Sequence, residues 1–223
     1  TKALYCGEVT FVDRWVGAFL NLLDDMKLRE DTIVMIMSDH GTELGDYTRF
    51  GKGPDTMHPV TTQILWYVRH PDGPSGSKVS AFVQSPDFLP TALGLLEVPY
   101  ANVDGQDAWA LVTGERDALR DHVVIGWAGF GTGNAGGRAS VRDDEWNYVV
   151  SVHEDDPQPE LYHIATDPTE MLNVHDRHPG VVARQRERLE AVVGQPIPAQ
   201  LNEVCDPGYA PMDLYFQHRF GKH

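Results

Sequence analysis

The sequence predicts an α/β fold in which a mixed sheet is flanked by helices, followed by a smaller antiparallel sheet with one helix. Three observations support this fold class. The apolar run at residues 33–37, IVMIM, is too continuous for a half-exposed edge strand and is typical of a central parallel strand. A pattern with helical periodicity precedes that run. Beyond Arg120 the chain changes to short β segments and ends in an amphipathic helix pattern.

The elements before residue 115 alternate between helix and strand patterns. An apolar stripe at helical spacing predicts the first helix, and it consists of Val9, Val12, Val16, Phe19, Leu20 and Leu23. The segment TQILWYVRH at 62–70 predicts a second buried strand, after an irregular stretch. Short helices are expected within SPDFLPTALGLL and DAWALVTG. We therefore predict one domain at residues 1–115.

The remainder, residues 116–223, is predicted to be a smaller α+β subdomain. The segments HVVIGW, GRASVR, WNYVVSVH and ELYHI have the short β-rich texture of antiparallel strands. An amphipathic helix is expected at roughly 179–193. The glycine-rich stretch from Gly131 to Gly136 matches a dinucleotide-binding pattern, but a strand rather than a helix follows it, so we interpret it as a connection.

Composition excludes several partners. The chain has 33 acidic and 18 basic residues and a formal charge of −15, which disfavours a nucleic-acid partner because phosphate contacts need clustered Lys and Arg. Its apolar runs fall short of the roughly 20 residues that span a bilayer, so no membrane partner is expected. No signal pattern precedes the first helix, and the sequence leaves cytoplasmic and periplasmic locations open.

The strand at 33–37 ends in Ser38-Asp39-His40-Gly41. In open α/β sheets, ligands bind at the carboxyl ends of strands, where a carboxylate and an imidazole can both bind a divalent cation. Gly41 allows the backbone to turn away from the strand. The alternative is that Asp39 caps a helix and His40 is a hydrogen-bonded core residue.

The longer segment SDHGTELGDYTRFGK resembles the metal-site segment of the sulfatase family, in the alkaline-phosphatase superfamily. That segment reads close to Ser-Asp-His-Gly-x-x-Leu-Gly-x-His-Gly, with a Lys a few residues later. The matching positions here are Asp39, His40, Leu44, Gly45 and Lys52. SPDFLPTALGLLEVP resembles the family's Asp-x-x-Pro-Thr helix, and ELYHIATDPTEMLNV resembles its late Glu-Leu-Tyr signature.

The resemblance implies an alkaline-phosphatase-like fold and a role for four residues. Asp39 and His40 would be metal ligands, and Lys52 would contact the oxygens of a sulfate or phosphate group. His58 would protonate a leaving group or donate to an oxyanion, with a structural histidine as the alternative. The metal would be Ca²⁺ if the other ligands are oxygen-rich, with Mn²⁺ or Mg²⁺ as alternatives because His40 supplies nitrogen.

The sequence departs from the family pattern at two places. Tyr47-Thr48 stands where the family often has His-Gly. The family's Cys-x-Pro-x-Arg nucleophile segment and two further Asp ligands have no counterpart, because neither Cys6 nor Cys205 has Pro and Arg at the required offsets. We therefore expect this chain to be the C-terminal half of a longer enzyme and to be inactive alone.

Three functions remain open at this stage. The first is a metal-dependent sulfatase that hydrolyses a small-molecule sulfate ester. The second is a phosphodiesterase or phosphonate monoester hydrolase on the same scaffold. The third is a noncatalytic module that binds anions or a partner chain. The expected macromolecular partner is the N-terminal half of the same protein, or a second copy of this chain in a homo-oligomer.

Overall fold

A long helix, α1 (Lys2–Asp25), opens the first of two units into which the chain separates. The computed structural model describes residues 1–52, 57–126, 138–152, 156 and 158–198. The first unit comprises residues 1–52 and 59–119, and the second comprises 53–58 and 120–223. The stretch at 131–136 and Cys205 lie outside the described residues.

The first unit contains four helices and four short strands among its described residues. After α1 they are β1 (Val34–Met37), β2 (Glu43–Leu44), β3 (Phe50–Gly51), α2 (Pro59–Thr62), β4 (Trp66–Arg69), α3 (Phe88–Leu95) and α4 (Trp109–Thr113). Single 3₁₀ turns cover Arg29–Asp31, Asp46–Thr48 and Ser85–Asp87. The predicted helices within 85–96 and 107–114 are confirmed as α3 and α4.

One expectation about this unit was wrong. The apolar run predicted a central parallel strand, but within the described residues β1 pairs only with β4, and it does so antiparallel, with Ile36 opposite Tyr67. The physical reason is that a run of apolar side chains reports burial on both faces of a strand and carries no information about the direction of its neighbour. All four residues of β1 are half-buried.

A buried aspartate organises the end of the first unit. The Asp87 carboxylate accepts hydrogen bonds from the backbone N–H groups of Gln84 (2.7 Å) and Gln106 (2.8 Å). Thr91 on α3 in turn accepts from the N–H of Ala108 (2.8 Å), just before α4. The Asp-x-x-Pro-Thr segment therefore fixes α3 against the chain that leads into α4.

The second unit is a four-stranded antiparallel sheet with one helix. Its order is β5 (His122–Gly126), β6 (Arg138–Asp143), β7 (Trp146–Ser151) and β8 (Glu160–His163), and α5 (Pro179–Val193) packs against β6 and β7. The four strand patterns and the helix are confirmed. The core is formed by Ala139, Val141, Trp146, Tyr148, Val150, Val152, Leu161, Leu189 and Ile197.

Asp143, at the end of β6, joins the sheet of the second unit to α5. Its Oδ1 accepts a hydrogen bond from the Trp146 N–H at 2.7 Å, which closes the turn into β7. Its Oδ2 accepts from Gln185 Nε2 at 2.8 Å and from Arg188 at 2.7 Å, both on α5. A single carboxylate thus fixes both the turn and the position of the helix.

Candidate metal and anion site

Backbone contacts hold the segment that follows β1. The Ser38 N–H donates to the Leu65 carbonyl at 2.9 Å, and the Leu65 N–H donates back to Ser38 Oγ at 2.8 Å. The Gly41 N–H donates to the Thr61 carbonyl at 2.8 Å. These bonds bracket Asp39 and His40 on both sides, so their backbone position is set by the chain that leads into β4.

Gly41 is required by a close approach of two backbone segments. A Cβ at this position would lie 2.0 Å from the carbonyl oxygen of Val60, a distance at which no side chain fits without moving the backbone. The glycine therefore allows the segment after His40 to pass directly against α2. This contact supports the predicted turn at the exit of the strand.

Asp39, His40 and Lys52 converge at one point in the first unit. His40 Nε2 lies 3.3 Å from Asp39 Oδ2 and 2.7 Å from Lys52 Nζ. His40 Nδ1 lies 2.7 Å from the Gly41 carbonyl oxygen, and Asp39 Oδ1 accepts from the His40 N–H at 2.9 Å. The Asp39 side chain is 83% exposed and that of His40 is 30% exposed, so the site opens to solvent.

The strands β2 and β3 bring Lys52 back towards His40, although twelve positions separate the two residues in sequence. Glu43 pairs with Gly51 and Leu44 with Phe50, and Thr42 Oγ1 donates to the Gly51 carbonyl at 3.0 Å. Between the strands, Gly45 has a φ of 99°. The twelve-residue spacing between His40 and Lys52 therefore spans one short antiparallel strand pair, which ends just before Lys52.

The departure at Tyr47-Thr48 falls at an unusual backbone position. Tyr47 has a φ of 50° and Thr48 a φ of 61°, both in the left-handed region that glycine adopts most easily. The glycine of the family pattern at position 48 would suit this conformation, and the β-branched Thr48 is strained in it. The Thr48 hydroxyl donates to the Tyr47 carbonyl at 2.6 Å.

The donor atoms of Asp39 and His40 fit a divalent cation. A carboxylate oxygen and an imidazole nitrogen 3.3 Å apart can both contact one ion at bonding distances of about 2.0–2.5 Å. The Lys52 ammonium already places a positive charge beside them. Within the described residues, no group of three or more His, Cys, Asp or Glu side chains could hold a metal, so Asp39 and His40 are the two candidate ligands at this point.

His58 belongs to the second unit, where it contacts a buried carboxylate. Its Nδ1 lies 2.9 Å from Oε2 of Glu170, whose side chain is fully buried. The imidazole also packs on Tyr162, with ring centroids 5.5 Å apart. Burial and a hydrogen bond from the Tyr162 hydroxyl to the Glu160 carboxylate raise the pKa of Tyr162, so this phenol stays protonated at neutral pH.

Sequence reasoning missed the residues that surround His58. Glu170 also forms an ion pair with Arg142 and accepts a hydrogen bond from Asn147 Nδ2 at 2.9 Å. Asn147 Nδ2 lies 3.3 Å from the Met57 carbonyl oxygen. Glu170 stands inside the segment ELYHIATDPTEMLNV that carried the family resemblance, so a signal existed, but nothing in the sequence paired it with His58.

Comparison with known proteins places the residues of this site within a family segment. Residues 2–98 match the family model described as Sulfatase. This segment of the chain is similar to the sulfatase family. The chain is 26% identical over 201 residues to arylsulfatase K of Gallus gallus, and 25% identical over 217 residues to an N-acetylgalactosamine-6-O-sulfatase of Bacteroides thetaiotaomicron. These alignments cover 87% and 83% of this chain, and 37% and 41% of those proteins.

Solved structures confirm the predicted alkaline-phosphatase-like fold of this chain. A phosphonate monoester hydrolase of Agrobacterium radiobacter has a TM-score of 0.76 and 26% identity, covering 86% of this chain and 41% of that one. A protein in complex with its substrate D-glucosamine-2-N,6-O-disulfate has a TM-score of 0.72 and 22% identity, covering 82% and 39%. Asp39, His40, Lys52 and His58 all lie in the matched sulfatase segment.

The described residues also include no helix that is both long and apolar enough to cross a bilayer.

Proposed function

We propose that this chain forms part of a metal-dependent hydrolase of sulfate esters. The observation that carries the proposal is the convergence of three side chains on one point: His40 Nε2 has Asp39 Oδ2 at 3.3 Å and Lys52 Nζ at 2.7 Å. Asp39 and His40 would hold the cation, which is Ca²⁺ in the first instance and Mn²⁺ or Mg²⁺ as alternatives.

The chemistry of ester hydrolysis explains why these residue types are needed together. Negative charge develops on the leaving oxygen and on the equatorial oxygens of the transferred group, and fixed positive charge stabilises it. A bound divalent cation supplies part of that positive charge. Lys52, directly after β3, supplies the rest as an ammonium that can donate to the ester oxygens.

His58 is proposed as a proton donor to the leaving group. Its Nδ1 is held by the buried Glu170 carboxylate at 2.9 Å, which orients the ring. A carboxylate partner on one ring nitrogen is the usual way in which a protein fixes the orientation and charge of a catalytic histidine. The remaining ring nitrogen, Nε2, is then the atom from which a proton would be transferred.

The remaining catalytic groups are proposed to come from elsewhere in a longer protein. The chain spans about two fifths of the length of the curated relatives it matches. Hard cations prefer about six ligands, and the described part of this chain offers two at the site, so further oxygen ligands and the nucleophile would be supplied by that other portion. The substrate is proposed to be a small-molecule sulfate ester.

A second candidate is a phosphonate monoester hydrolase. It is favoured by the likeness to the Agrobacterium radiobacter enzyme, at a TM-score of 0.76 over 86% of this chain. A cation and a lysine stabilise a phosphonate ester in the same way as a sulfate ester, because both carry charged equatorial oxygens. The two candidates therefore differ in which ester is hydrolysed faster.

The test is a comparison of two chromogenic substrates with the protein that contains this chain. We expect 4-nitrophenyl sulfate to have a higher kcat/KM than 4-nitrophenyl phenylphosphonate. Lys52→Met should lower kcat/KM for the sulfate ester about 100-fold or more, as for loss of one charged donor to a developing oxyanion. Lys78→Met removes the same charge from an exposed residue of the same unit and serves as the matched control.

Two results would decide against the proposal. Full activity of Lys52→Met would show that Lys52 does not contribute to hydrolysis. A higher kcat/KM for the phosphonate ester would favour the second candidate over the first.

A further inference from the structure

The hydrogen bonds of His40 fix its tautomer. The Gly41 carbonyl oxygen can only accept a hydrogen bond, so His40 Nδ1, 2.7 Å away, carries the proton. The Lys52 ammonium has three donors and no acceptor, so at 2.7 Å it donates to His40 Nε2. The imidazole is therefore neutral, with its single lone pair on Nε2 directed at Lys52.

Asp39 strengthens this arrangement. Its Oδ2 lies 3.3 Å from His40 Nε2, and both atoms are acceptors in this tautomer. Two acceptors at this distance repel each other unless a positive charge lies beside them. The Lys52 ammonium provides that charge, and in doing so it occupies the same lone pair that a metal ion would use.

A single lone pair cannot serve a lysine and a metal ion at once. We propose that Lys52 is an internal competitor for the cation site: its ammonium is bound to His40 Nε2 until a divalent cation takes that nitrogen. Lys52 is then released and becomes available to the anionic oxygens of an ester. This inference rests on the proposed metal role of Asp39 and His40, and it assigns to Lys52 a second role beyond contact with substrate.

The position of Lys52 makes such an exchange feasible. The lysine is exposed and stands directly after β3, whereas His40 is held by the Gly41 carbonyl and by the backbone bonds around β1. The long lysine side chain can therefore move by rotation about its own bonds while the imidazole stays in place. The backbone carbonyl keeps the proton on Nδ1 in both arrangements, so Nε2 remains able to bind either cation.

The experiment measures Mn²⁺ binding by electron paramagnetic resonance. It uses the purified protein that contains this chain, after any bound metal has been removed with EDTA. We expect Lys52→Met to bind Mn²⁺ about tenfold more tightly than the wild type, because a charge-assisted hydrogen bond no longer competes. Lys78→Met, the matched control, should change the affinity by about twofold or less. In a His40→Ala background, Lys52→Met should have no larger effect than Lys78→Met, because the shared nitrogen is gone.

Circular dichroism melting of each variant verifies folding, and Lys52→Gln replaces Lys52→Met if the latter melts early. Unchanged or weaker Mn²⁺ binding in Lys52→Met would overturn the inference. An equal gain in Mn²⁺ affinity when Lys52→Met is added to the His40→Ala background would also overturn the inference. Such a gain would come from the loss of a positive charge near the site and not from release of His40 Nε2. If Mn²⁺ binding is measured in the wild type and is weakened by His40→Ala, the metal role stands even when the inference fails. Absence of Mn²⁺ binding in the wild type and in Lys52→Met would overturn both the inference and the proposed metal role of Asp39 and His40.

Discussion

His58 Nδ1 lies 2.9 Å from Glu170 Oε2, across 112 positions of sequence. The Glu170 carboxylate is fully buried and is surrounded by the imidazole of His58, the amide of Asn147 and the guanidinium of Arg142. Both oxygens of this buried carboxylate therefore accept hydrogen bonds, Oε1 from Arg142 and Oε2 from His58 and Asn147. The contact ties His58 to the part of the second unit that carries Arg142 and Asn147.

The first prediction concerns this carboxylate. Glu170→Gln keeps the shape of the side chain and removes its charge, which leaves the partly buried Arg142 without its ion pair. We expect the free energy of unfolding of the second unit to fall by about 3 kcal/mol, as when one partner of a buried pair is removed. Urea denaturation followed by tryptophan fluorescence measures it. Glu187→Gln, on the exposed face of α5, is the control and should have little effect. A loss below about 0.5 kcal/mol for Glu170→Gln would contradict this account.

The second prediction concerns acid stability. Burial acts to raise the pKa of Asp143, but hydrogen bonds from the backbone N–H groups of Glu145 and Trp146 and from Gln185 and Arg188 outweigh it, so the pKa lies below its usual value. The unfolded chain therefore takes up the proton first as pH falls. The stabilisation is complete above an unfolded pKa of about 4 and is lost as pH drops through the lower folded value.

Asp143→Asn should accordingly flatten the fall in stability below about pH 4, and it should also lower stability at neutral pH. The neighbouring Asp144 is exposed, and Asp144→Asn should leave the profile unchanged. Urea midpoints measured from pH 7 to pH 3 provide the comparison. Identical profiles for the wild type and Asp143→Asn would show that other groups control acid unfolding.

The third prediction uses two glycines with opposite surroundings. Gly41→Ala would place a Cβ 2.0 Å from the Val60 carbonyl and must displace the segment that carries Asp39 and His40. Gly17 lies inside α1 with nothing within 4 Å of the position of a Cβ, so Gly17→Ala should stabilise the helix by about 0.5–1 kcal/mol. We expect a lower melting temperature only for Gly41→Ala. Equal melting temperatures for Gly41→Ala and the wild type would mean that the backbone at Val60 yields without cost.

The fourth prediction concerns the apolar surface of α1. Among the residues of α1 only Leu23 is buried, whereas Leu4 is 78% exposed and Trp15 60% exposed. Large exposed apolar surfaces favour association with another chain. We expect concentration-dependent sedimentation of the purified 223-residue chain, or a copurifying portion of the same protein bound to this helix.

Trp15→Glu should weaken that association because it places an unpaired charge in the interface. Val192→Glu adds the same charge at an exposed apolar residue of α5 and is the control. Analytical ultracentrifugation of the three proteins at micromolar concentration distinguishes them. A wild-type chain that sediments as a single monomer, with no copurifying fragment, would rule out this role for α1.

The sequence by itself determined the elements whose signals are local. The helix expected at roughly 179–193 is confirmed as α5, because Pro179 favours the first turn of a helix and Gly194, with a φ of 78°, ends it in the left-handed conformation. The strands of the second unit were found because their short β-rich segments are separated by turn residues. The motif around Asp39, His40 and Lys52 was found because its residues lie at characteristic spacings within one short segment of the sequence.

Only the tertiary structure decided which elements and side chains meet. The antiparallel pairing of β1 with β4 was not predictable, because apolar composition is the same for either direction of the partner. The pairing of His58 with Glu170 depends on the registers of β7 and β8 and on the turn that follows them. The contact between Lys52 and His40 depends on the pairing of β2 with β3, and the Gly41 carbonyl fixes the imidazole tautomer. A sequence names the groups that can react, but their protonation and partners follow from distances that only the fold sets.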